Sequence, residues 1–195
     1  GYTASRTLPI SAYYHSTSEI NEIHSMAMEH FTYPWMGLFF KDADKYRYAH
    51  LFGALSVIPY MVCVDEFQHR VFENPEAGSK EWRKIWHELE QTYMPWRSYD
   101  GNAFLEEGGF WMQKQHIFLY PFYYVDYAMA QMGAFEFYTK MKEDRKAAWA
   151  DYYKLCAAGG SMGYFDLLKY SGLHKVLEDG SVKIILKGVF EELGL

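Results

Sequence analysis

The chain of 195 residues is half hydrophobic and 19% aromatic, with 18 Tyr and 14 Phe, and its length predicts one domain or slightly more, large enough to bury a continuous core. A formal net charge of -6 without any basic run excludes the electrostatic footprint expected for nucleic acid or an anionic membrane. Cys63 and Cys156 lie inside apolar helical patterns, so buried reduced thiols, and with them a cytoplasmic protein, are the expectation.

No apolar run reaches membrane-spanning length, and the N-terminus lacks the zones of a signal peptide. Gly1-Tyr2-Thr3 has no initiator Met and reads as the interior of a longer protein. Residues 1–15 hold Pro9 and no clean helical period, so they read as extended or irregular. Ser16 and Glu19 have the S-x-x-E form of a capping box, which predicts a helix start just before Glu22. Along that helix Glu22, Ser25, Met26 and Glu29 follow i, i+3, i+4, i+7 spacing, placing two carboxylates on the apolar stripe. A buried carboxylate is costly unless hydrogen bonds, a partner ion or a metal offset its desolvation. Spacing alone leaves two readings open: glutamates bonded to polar neighbours in a helical core, or a metal site.

Pro34 kinks or interrupts this helix ahead of the apolar run Trp35 to Phe40. A second helix is predicted from Asp42 or Asp44 to Asn74, with a kink at Pro59, and Pro75 and Gly78 mark a turn. Ser79 caps a third to about Met94, with Trp82, Ile85, Trp86 and Leu89 as its apolar stripe. Trp96 to Gln115 contains Asp100-Gly101-Asn102 and Gly108-Gly109 and reads as loop around at most a short helix. Pro121 fits the first turn of a long helix to Lys142, where its missing donor has no partner anyway. Asp144 caps another to about Ala158, Gly159-Gly160 breaks it, and helices follow from Ser161 to Tyr170 and from Ser181 to Leu193. With no strand signal, repeat or domain linker, the prediction is an all-α, multi-helix single domain.

Two further groups of residues carry chemistry. Glu66-Phe67-Gln68-His69 is an E-x-x-H pair of the kind found in carboxylate-bridged di-iron bundles, but such sites need two, and one pair reads as a surface or helix-packing contact. In the run from His116 to Tyr127, a histidine in a loop just before a helix is followed by Tyr124 and Tyr127 at i, i+3 on one helix face. An imidazole and two phenols converging on one point are donors without a nucleophile, which suits a developing oxyanion. The same residues also fit an aromatic core stripe with a satisfied histidine. There is no G-x-S-x-G, no activated cysteine and no phosphate-binding loop.

Taken together, Asn21 to Glu29, Val64 to Pro75 and His116 to Tyr127 resemble, in order, the C-terminal half of the oligoendopeptidase F family of zinc metallopeptidases, related to thimet oligopeptidase. The resemblance runs from near Gly1 to at least Tyr138. It implies the C-terminal portion of a helical, bowl-shaped, zincin-like catalytic domain that encloses a deep cleft and hydrolyses short peptides through a metal-activated water. By that likeness Glu22 is a zinc ligand and Glu29 a supporting partner behind it. His116, Tyr124 and Tyr127 donate to the scissile carbonyl or the peptide backbone, with Tyr127 the main oxyanion donor and Tyr123 its substitute in a shifted register. The chain lacks the family's H-E-x-x-H helix, whose spacing places it upstream of Gly1. Two zinc ligands and the general base are therefore expected from the N-terminal part of the same protein, and this chain alone is expected to be inactive. The competing reading is a non-catalytic helical module that binds peptides, which sequence upstream of Gly1 would distinguish.

Overall fold

A computed structural model describes residues 1–195 and contains ten α-helices and no strand. They are α1 (Tyr2–Ser5), α2 (Ser18–Phe31), α3 (Ala43–Ser56), α4 (Ile58–Glu73), α5 (Ser79–Tyr93), α6 (Gln115–Leu119), α7 (Val125–Glu143), α8 (Arg145–Ala158), α9 (Tyr164–Tyr170) and α10 (Ser181–Leu193). The chain divides into two compact units, one made of Gly1–Ala54 with Met129–Leu195, the other of Leu55–Ala128.

In the first unit α2 turns Ile20, Ile23, Ala27 and Phe31 into a core completed by Ala130, Ala134 and Phe137 of α7, Leu155 of α8 and Leu167 of α9. Gly133 allows α7 to approach α2, because a Cβ there would meet Ile23 Cδ1 at 2.7 Å. The buried stripe corrects the sequence expectation for α2. Ile20, Ile23 and Ala27 are fully buried, whereas Glu22 is half-buried and Ser25 and Glu29 are exposed. The capping box is also absent: Thr17 is the N-cap, without a side-chain cap bond, and Ser16 lies one residue outside. Asp144 does cap α8 as expected, its Oδ1 accepting from Lys146 N at 2.9 Å and Ala147 N at 3.0 Å. Gly159, at φ 51°, ends that helix in a backbone region open to glycine.

In the second unit α4 and α5 pack side by side around Cys63, Val64, Phe67, Trp86 and Leu89, with Trp111 and Met94 closing the cluster. The predicted kink at Pro59 is instead a break at Val57, and Pro59 stands in the first turn of α4, where no hydrogen bond is lost. By length and composition the combined run Ala43–Glu73 does reach the size of a membrane span, against the sequence expectation. The turn at Val57 divides it, and α4 buries Met61, Cys63, Val64 and Phe67 in protein core. Gly108, at φ 87°, lets the short helical turn Leu105–Gly109 lie against the backbone of α5.

Candidate active site

A first group of candidate residues, acidic, begins on α2. Ser25 Oγ donates to Glu22 Oε2 at 3.2 Å and shares its proton with the Glu22 carbonyl at 3.0 Å, so a neighbouring hydroxyl restrains the Glu22 carboxylate one turn away. Glu29 is held from α3: its Oε2 lies 3.0 Å from His50 Nε2, and His50 Nδ1 lies 2.7 Å from the Tyr33 hydroxyl. A carboxylate only accepts, so His50 Nε2 carries the proton toward Glu29. The hydrogen bond from His50 holds the Glu29 carboxyl below its usual range, against the opposing effect of burial. Burial raises the Tyr33 phenol well above the ordinary tyrosine range, keeping it a donor. Beneath this chain His30 is 1% exposed, with its Nε2 3.5 Å from Gln131 Nε2 and burial lowering its pKa to about 3.

A second group of candidate residues, aromatic, belongs to the other unit. His116 sits on the short helix α6 and not in a loop, and Tyr123 and Tyr124 precede α7, which begins only at Val125. The expectation that Pro121 opens a helix carrying both Tyr124 and Tyr127 is thus corrected: Tyr127 alone is in α7. The four rings still meet. His116 is 6.2 Å from Tyr123, 4.9 Å from Tyr124 and 5.9 Å from Tyr127 between ring centres, and Tyr127 is 5.2 Å from Tyr123 and 5.4 Å from Tyr124.

A strained turn makes this convergence. Phe122 has φ 64°, a left-handed conformation costly for a bulky residue. Its N–H donates to the buried Gln68 Oε1 at 2.9 Å, and its ring packs 4.8 Å from His69 and 5.1 Å from Phe72. Within the E-x-x-H pair it is therefore Gln68 and His69 that support the turn. Glu66 accepts from Arg70 Nε at 3.0 Å and from the Tyr93 hydroxyl, while His69 faces Asp65 at 3.5 Å, so Glu66 and His69 are not the pair their spacing suggested.

Lys114, the N-cap residue of α6, is the group that sequence reasoning missed. Its Nζ donates to the Tyr124 hydroxyl at 3.0 Å and lies 4.5 Å from the Tyr124 ring centre. The one signal in the sequence was a lysine two positions before His116. Burial first and the Lys114 charge second lower the His116 pKa, which favours the neutral imidazole. Its Nδ1 is buried without a hydrogen-bond partner. The cluster thus presents a neutral imidazole and phenol hydroxyls, which stabilise negative charge but supply no nucleophile. Cys63, whose thiol is pushed up to about 12 by burial, and buried Cys156 are both free cysteines.

The family resemblance implies zinc, and the donor set of residues 1–195 does not complete such a site. Zinc takes three or four protein ligands, and no group of three or more His, Cys, Asp or Glu in the chain is placed to hold a metal ion.

No protein-family model matches the chain, and a comparison with curated proteins matched none. Solved structures do match. An oligoendopeptidase F and a PZ peptidase A with an inhibitor each share 47% identity at a TM-score of 0.95, over 98% of this chain and 34% of theirs. An oligoendopeptidase F from Bacillus anthracis shares 40% identity at a TM-score of 0.82, over 98% of this chain and 31% of its own. The chain thus spans about a third of the length of these structures. With that identity along nearly all of its residues, the chain is similar to the matching third of the oligoendopeptidase F structures.

Proposed function

We propose that this chain is the portion of a zinc endopeptidase for short peptides that supplies one metal ligand and the donors to the scissile carbonyl. The convergence of His116, Tyr123, Tyr124 and Tyr127, in a chain 47% identical to an oligoendopeptidase F, carries this reading. Tyr127 donates its phenol proton to the carbonyl oxygen as charge develops there. Tyr124 and neutral His116 hold the peptide backbone and fix its register against Tyr127, and Tyr123 closes the ring of aromatics. Glu22 is the single ligand this chain gives to zinc, with the remaining ligands and the general base supplied by the N-terminal part of the same protein. Glu29, anchored by His50 and Tyr33, keeps the Glu22 face of α2 in place. Free, buried Cys63 and Cys156 support a cytoplasmic setting.

The test is peptide hydrolysis by the family-length protein. Tyr127→Phe lowers kcat by about 100- to 1000-fold with little change in KM, as expected for a donor used mainly in the transition state. An unchanged kcat removes Tyr127 from that role. Retained peptide binding without hydrolysis in the unsubstituted protein favours a non-catalytic peptide-binding module.

A further inference from the structure

Lys114 is matched with a neutral phenol. Its ammonium donates to the Tyr124 hydroxyl at 3.0 Å and rests over two aromatic rings, 4.5 Å from the centre of Tyr124 and 5.2 Å from that of Tyr60. Tyr60 and Tyr124 are both buried, and their rings meet edge to face at 5.9 Å, so the ammonium rests on a fixed surface. Gln113 Nε2 donates to the Tyr60 hydroxyl at 3.3 Å and ties the neighbouring backbone to the same ring.

An ammonium has three protons and no lone pair, so the Tyr124 oxygen can only be the acceptor in its contact with Lys114. A phenol O–H lies near the plane of its ring and has two orientations there. Because Lys114 donates to this oxygen, the Tyr124 proton points away from the ammonium. The positive charge also draws electron density from the phenol oxygen, so the outward O–H becomes a stronger donor.

We propose that Lys114 is a positioning residue of this site, selecting the outward orientation of the Tyr124 hydroxyl and strengthening it as a donor to the bound peptide. The proposal rests on the reading of the His116–Tyr127 cluster as donors to a peptide. It assigns Lys114 no contact with the reacting atoms; the residue acts through Tyr124. The same charge lies close enough to His116 to oppose its protonation. The other groups packed on the His116 ring are the phenols of Tyr123, Tyr124 and Tyr127, and the nearest further cation on this surface is Arg97, whose guanidinium lies 5.4 Å from the centre of Tyr60.

Two measurements test this. In the family-length protein, peptide hydrolysis is compared for Lys114→Met, Lys114→Arg, Tyr124→Phe and the double variant Lys114→Met/Tyr124→Phe. Loss of a charge-assisted hydrogen bond predicts a fall in kcat of about 10-fold for Lys114→Met, with Lys114→Arg retaining most activity. Because Lys114 acts through Tyr124, the double variant is no slower than Tyr124→Phe alone. Multiplying losses, or an unchanged kcat in Lys114→Met, overturns the proposal. In the 195-residue chain itself, the His116 ring protons are titrated by NMR. The midpoint rises in Lys114→Met and stays in place in Lys114→Arg; a midpoint unmoved by Lys114→Met overturns the placement of the charge. If the family-length protein cleaves no peptide, the proposed function fails while the His116 titration still decides where Lys114 stands.

Discussion

His30 shows how a single buried residue ties this fold to pH. Its imidazole is packed 5.1 Å from Tyr33, 5.9 Å from Phe135 and 5.3 Å from Tyr138, measured between ring centres, and burial lowers its pKa from 6.5 to about 3. The unfolded chain returns His30 to its ordinary value, so between these limits the unfolded state binds a proton that the folded state does not. The stabilisation from neutral burial is complete above pH 6.5 and is lost as pH falls toward 3. Near pH 5 the expected slope from this group is about 1.4 kcal/mol per pH unit. His30→Leu should remove that slope, as read from urea unfolding at pH 4, 5, 6 and 7, and an unchanged slope would show that His30 is protonated in the fold. At this scale the helical period of α2 was legible in the sequence, but the choice of buried face was not. Two stripes about 140° apart on the helix wheel competed. The one built on Ile20, Ile23, Ala27 and Phe31 carries more apolar area than the one through Glu22, Met26 and Glu29, and it faces the core.

Among the elements, the connection between α6 and α7 places the aromatic site, and α4 holds that connection. Phe122 adopts φ 64°, at a cost of about 1–2 kcal/mol for a residue with a side chain. The bond from its N–H to Gln68 Oε1 and the stacking on His69 and Phe72 offset this. Gln68→Leu removes the acceptor and should lower stability by about 1–3 kcal/mol. Tyr124 should lose its fixed place as well, so peptide hydrolysis by the family-length protein falls further than the stability loss alone would bring. A variant with full activity and a mobile Phe122 would show that the turn holds itself. The sequence reading placed Pro121 at a helix start because the fixed φ of proline, near -65°, suits both the first helical turn and a tight turn. A side chain 54 residues away decided between them, and no local signal carries that. Where the deciding group is local, the sequence was enough. Asp144 bonds the N–H groups two and three residues ahead, Gly159 accepts a positive φ, and both ends of α8 lie where they were expected.

For the molecule as a whole, the question is which parts of the proposed chemistry these 195 residues can perform. The order of the three motifs was legible and led to the family. The bonds that hold Glu29, Tyr124 and the turn at Phe122 were not, because each comes from a residue outside the motif it holds: His50 for Glu29, Lys114 for Tyr124 and Gln68 for the turn. The chain offers one carboxylate, Glu22, for the proposed ligand role and no set of three His, Cys, Asp or Glu groups able to hold a metal. Zinc affinity falls steeply below three protein ligands. The isolated chain should therefore bind well under one equivalent of zinc at pH 7.5 and show no peptide hydrolysis, while the family-length protein binds one equivalent and hydrolyses peptides. Metal analysis after dialysis against dilute zinc separates the two, and Glu22→Gln in the family-length protein should lower zinc retention and kcat together. Full zinc retention in Glu22→Gln would transfer the ligand role away from Glu22. Stoichiometric zinc on the isolated chain would mean that a donor set other than the one proposed assembles within these residues.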